Sequence, residues 1–204
     1  MIWDYPTRLF HWSLVICVIG AYASISAGNI DLHEKFGLGV LGLVVFRIIW
    51  GFVGHTPSRF SNFVPGPKTV WSYLKNRENP NQGHNPLGAL SVLALLTLLL
   101  VQTLSGSFST DDVFFDGPLL HLAPTFSGTA FSIHYIVRAL IFAMIILHWT
   151  ALLVHRFVLK EKLTTRMITG GLSEDRPEAK RTLLGLSLIA ACVAGAQALV
   201  LLKP

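Results

Sequence analysis

At 204 residues, with 52% hydrophobic and 13% charged side chains and a mean hydropathy of +0.57, the chain is too apolar for an ordinary soluble domain. Its formal net charge of +5 comes largely from Lys and Arg in two connecting segments, where cations report membrane orientation, so nucleic acid is a poor partner. Cys17 and Cys192 lie in apolar stretches outside any C-x-x-C-H pattern, which excludes covalent cofactor attachment of that kind and a disulfide framework.

In chain order, five apolar stretches at residues 8–28, 33–54, 86–107, 132–157 and 183–202 are each long enough to cross a hydrocarbon core about 30 Å thick, and all are expected to be helices. The first follows Met-Ile-Trp-Asp-Tyr-Pro, with no basic n-region or small-residue cleavage site, and is expected to be a retained span. The second carries Gly37, Gly39, Gly42 and Gly51, which would admit a close helix neighbour or a flat ligand. The Pro-, Gly- and Asn-rich segment 55–86 includes a short candidate interfacial helix at residues 70–74. The fifth stretch follows a polar linker, Gly170 to Lys180, that would let it pack separately. The expected architecture is all-α: a four-helix transmembrane bundle over residues 1–171, then a cytoplasmic linker and an additional C-terminal transmembrane helix over 172–204.

Charge sets the expected topology. The second connection carries Arg59, Lys68, Lys75 and Arg77 against Glu78, and the segment after the fourth span is basic from Arg156 to Arg181. The third connection carries Asp111, Asp112 and Asp116 with no Lys or Arg. The positive-inside rule therefore puts the N-terminus and the basic segments in the cytoplasm, and the acidic connection and C-terminus outside.

Eight His residues are the unusual feature, because ionisable groups inside a bilayer mark a cofactor, an ion path or a proton relay. His134 and His148 are fourteen residues apart on one helix, a rise of ~21 Å with an angular offset of only ~40°. They share a face at two depths, as a helix must to give one axial ligand to each of two stacked haems. His11 opens the first span at the cytoplasmic depth of His148, and His33 opens the second at the outer depth of His134. The expected pairs are His11 with His148 and His33 with His134; two imidazoles fill both axial positions and favour electron transfer over oxygen binding. His155, beside Arg156, is the rival to His148 and is expected at the interface, while His55 and His121 are expected to be exposed in polar connections.

Arg47 and Arg138 lie within spans, where an unpaired guanidinium is costly. Haem propionates would supply the missing charge, with Arg138 one turn from His134 and Arg47 near the inner end of its span; snorkelling to the interface is the alternative. His84 and Asn85, at the cytoplasmic start of the third span, offer a donor and a proton route for a quinone carbonyl, and the same residues suit a helix N-terminus with Asn85 as cap and Pro86 in the first turn.

These residues resemble the bacterial cytochrome b561 group, which includes the b-type dihaem membrane subunits of nickel-iron hydrogenases. The likeness runs from Trp3 to about Gly171, through Trp3-Asp4-Tyr5-Pro6-Thr7-Arg8-Leu9-Phe10-His11-Trp12, Leu32-His33-Glu34, Phe46-Arg47-Ile48-Ile49-Trp50-Gly51-Phe52-Val53-Gly54, Gly83-His84-Asn85-Pro86-Leu87-Gly88 and Met167-Ile168-Thr169-Gly170. The resemblance implies four core helices, two non-covalent haems b held by four histidines, and electron exchange between the quinone pool (ubiquinone or menaquinone) and a periplasmic partner such as a c-type cytochrome or a hydrogenase. One branch of the group acts instead as a superoxide:quinone oxidoreductase without a partner. Without haem, the intramembrane His and Arg residues would read as a proton or ion transporter.

Overall fold

The computed structural model describes residues 3–76, 86–113, 115–161, 163–170 and 179–203. Helix α1 spans Tyr5–Ser26. It is started by Asp4, whose carboxylate accepts from the Thr7 amide at 2.7 Å, with Pro6 in the first turn where no amide donor is needed. It ends in a tight turn at Gly28, where φ of +74° suits glycine. Asn29 then accepts from the Leu32 amide at 2.9 Å and caps α2, Ile30–Val53. A 3-10 turn at Thr56–Ser58 and the short α3, Phe60–Phe63, lead to α4, Pro67–Asn76, which covers the expected interfacial helix and exposes Trp71 and Leu74.

Helix α5, Pro86–Ser107, climbs back, and near its end Thr103, Ser107 and Ser109 hydroxyls donate to carbonyls four residues earlier, which satisfies them inside the apolar layer. The acidic connection is folded by Asp111, whose carboxylate accepts from the amides of Val113 and Phe115 at 3.0 and 2.8 Å. Helix α6, Ser127–Phe157, is followed by α7, Leu163–Thr169, and by α8, Ala179–Gln197, extended by a 3-10 turn over Ala198–Leu202. Among the described residues, five helical stretches are long and apolar enough to cross a membrane. Four of them begin three to five residues before the hydropathic stretches do. Their first turns hold capped or polar residues, such as Lys180 and Arg181, which hydropathy trims away.

Helix α2 is the axis of the bundle. It packs against α1, α5 and α8, and α5 in turn packs against α6. Phe10, Val40, Val44, Phe46, Trp50, Leu96, Val137 and Ile141 form the core, while Ile16, Ile19, Ile146, Trp149 and Phe157 face outward, as spans solvated by lipid require. By contrast α6 stands off from α1 and α2 and reaches them through side chains, for example Tyr22 against Phe142 at 5.0 Å between ring centres. The fifth span does not pack separately but lies against α2. A Cβ on Gly42 would lie 2.6 Å from Val193 Cα, so glycine lets the α2 and α8 backbones touch, and Gln197 Nε2 donates to the Lys35 carbonyl at 2.8 Å.

Candidate functional site

The connections divide the bundle into a basic end, where α1 begins and α2 ends, and an acidic end, which carries Asp111, Asp112 and Asp116. At the acidic end the start of α2 brings His33 against His134 of α6. Their ring centres are 6.1 Å apart and their planes meet at 88°. His33 Nδ1 lies 2.7 Å from the Ala21 carbonyl and His134 Nδ1 2.9 Å from the Gln102 carbonyl. Each Nδ1–H thus donates to backbone, which fixes the tautomer and leaves the ring's electron pair on Nε2. The Gln102 side-chain amide stands 3.1 Å from His134 Nε2 and donates to it. Gly106 makes room for this ring, because a Cβ there would come within 2.9 Å of His134 Cε1. One turn along α2 from His33, Gly37 faces open space.

At the basic end His11 and His148 are both half-buried and close enough for their charges to interact. His11 Nδ1 is buried without a hydrogen-bond partner, and its ring meets Trp12 edge-on at 5.2 Å. The best-satisfied group at this end is Asp4. Besides capping α1 it accepts from Trp50 Nε1 at 3.2 Å and from the Ser58 hydroxyl at 2.5 Å, and Thr7 Oγ1 lies 2.9 Å from Ser58 Oγ. Arg47 is 3% exposed, so it does not snorkel. Its guanidinium packs over Phe60 and Phe63 at 5.1 and 5.6 Å and feels the Asp4 charge, while one terminal nitrogen is buried and unpartnered.

Arg138 is exposed and lies over Tyr135 at 4.6 Å, near enough for its charge to act on His134. His155 pairs with Glu161 at 2.9 Å beyond the apolar part of α6. His121 is exposed as expected. His55 is not: it is half-buried, its ring packs on Trp50 at 6.0 Å and its Nε2 is buried, because the turn after Gly54 folds back over the end of α2. His84 and Asn85 lie outside the described residues.

Sequence reasoning missed Ala21 and Gln102 as orienting groups, since a backbone carbonyl leaves no trace in residue identity. It also gave Asp4 no role, although an acid beside Trp3 at the mouth of an apolar span was a visible signal. The two ends of the resembling stretch meet here: Trp3 N donates to the Gly170 carbonyl at 3.3 Å, and Arg8 donates to the Ile168 carbonyl at 2.5 Å.

A family model described as prokaryotic cytochrome b561 matches residues 2–170. No curated protein and no solved structure matches the chain.

Proposed function

The chain belongs to the prokaryotic cytochrome b561 family, multi-pass membrane proteins that move electrons through b-type haem, and from that membership we propose that it holds two haems b, one near each end of the bundle. His33 and His134 ligate the haem at the acidic end, and His11 and His148 the one at the basic end. The observation that carries this reading is the acidic-end pair. Two in-line metal–imidazole bonds of ~2 Å put ring centres ~6 Å apart, and these rings stand at 6.1 Å with both Nδ1 atoms tied to carbonyls. The stand-off of α6 from α1 and α2, the open face at Gly37 and the orphaned Nδ1 of His11 also fit a flat ligand that the polypeptide alone does not replace.

When bound, each haem would supply an iron that changes oxidation state, and imidazole donors such as these would suit it to electron transfer. The chain's own residues do the rest. Backbone carbonyls orient the imidazoles, the apolar core excludes water, and Arg47 and Arg138 hold propionates by charge-assisted hydrogen bonds. Arg47 suits that role through its buried, unpartnered nitrogen, and Arg138 through its nearness to His134.

Electrons pass between the membrane quinone pool, ubiquinone or menaquinone, and a periplasmic redox protein such as a c-type cytochrome or a hydrogenase, with the basic end cytoplasmic. His84 and Asn85, beside the start of α5, are the candidate quinone contacts. Asp112 and Asp116 remain free to steer a basic partner, whereas the Asp111 carboxylate is engaged by two loop amides.

The purified protein is expected to show b-type absorption bands and about two haems per chain by pyridine haemochrome. Replacing His148 by Ala removes one of them and replacing His155 by Ala removes none. Loss of haem from the His155 variant would mean that the basic-end pair is assigned to the wrong histidine.

A further inference from the structure

The matched family core stops at residue 170, yet α8 is seated along the whole of α2. Gly185 meets Pro6 and Trp50 at the basic end, Gly42 meets the α8 backbone midway, and Gln197 holds the Lys35 carbonyl near the acidic end. Just past the 3-10 turn, Lys203 Nζ lies 2.7 Å from Glu34 Oε1 and 4.9 Å from the Phe115 ring centre. Glu34 directly follows His33, and its side chain is only 9% exposed. A buried carboxylate beside an iron ligand favours the oxidised, more positive state of that iron, and a cation in contact with the carboxylate cancels the effect.

We infer that α8 sets the reduction potential of the acidic-end haem by delivering Lys203 to Glu34. With the ion pair intact, the haem is more easily reduced than the residues matched to the family would make it on their own. Among the described residues the ion pair of the Glu34 carboxylate is with Lys203, while Arg138 packs over the Tyr135 ring on α6. The inference rests on the assignment of a haem to His33 and His134.

The test is a redox titration of the full chain, followed by haem absorbance, with haem content measured for every variant. The acidic-end haem is identified as the component missing from His134→Ala. Lys203→Gln shifts its reduction equilibrium roughly tenfold toward the oxidised form, which is ~59 mV for one electron. The basic-end haem keeps its midpoint. Lys203→Arg retains the wild-type value, and Glu34→Gln combined with Lys203→Gln returns close to it, since no charge is then left unpaired. An unmoved midpoint in Lys203→Gln, an equal shift of both haems, or a double variant that stays shifted would overturn the inference. A wild-type protein with fewer than two haems would instead sink the assignment on which it rests.

Discussion

The two ends of the bundle hold their imidazoles in different ways. At the acidic end both rings are aimed by backbone carbonyls, and their centres stand 6.1 Å apart. At the basic end the ordered element is the chain entering α1: Asp4 ties Thr7, Trp50 and Ser58 together, while the Nδ1 of His11 has no partner. One pair is oriented directly, and the other through the helix that carries it. Damage to the carbonyl-held end should therefore be local to a ring, and damage to the other end should act through the seating of α1.

The strongest test of that contrast is Asp4→Ala. It removes a helix cap and two further buried bonds, a loss on the order of 3 kcal/mol, and thermal melting followed by haem absorbance should show the basic-end haem leaving first. Gly106→Ala comes next. Its new methyl collides with the His134 ring, so haem affinity at the acidic end falls roughly tenfold, while titration of haem into the apoprotein shows the basic-end site unchanged. Trp50→Phe deletes one hydrogen bond to Asp4 and lowers stability by about 1 kcal/mol, with both haems kept. The smallest effect belongs to Gln102→Ala: the carbonyl that orients His134 survives, and haem content stays at the wild-type level. A Gln102 variant that lost haem would show the side chain, not the backbone, to be the orienting group.

The helical bundle was legible in the sequence because twenty-residue apolar runs admit few folds in a bilayer. The depth match of His33 with His134 was legible for a related reason, since helical rise converts residue spacing into depth. What could not be read was anything made by backbone: the carbonyls of Ala21 and Gln102, and the fold-back that buries His55 against Trp50. Arg47 left two readings open because a guanidinium at that position reaches either the interface or the core. Packing by Phe60 and Phe63, which lie on a helix too short for hydropathy to register, decides for the core. The seating of α8 was equally hidden, because the polar linker before it says nothing in sequence about where the helix docks, whereas the contacts of Gly42, Gly185 and Gln197 do.

The account stands on the pairing of four histidines, and haem content in double variants tests that pairing most directly. His33→Ala with His134→Ala should leave about one haem per chain, as either change alone does, because both remove ligands of the same iron. His11→Ala with His134→Ala should leave none. Equal haem content in the two double variants would contradict the pairing.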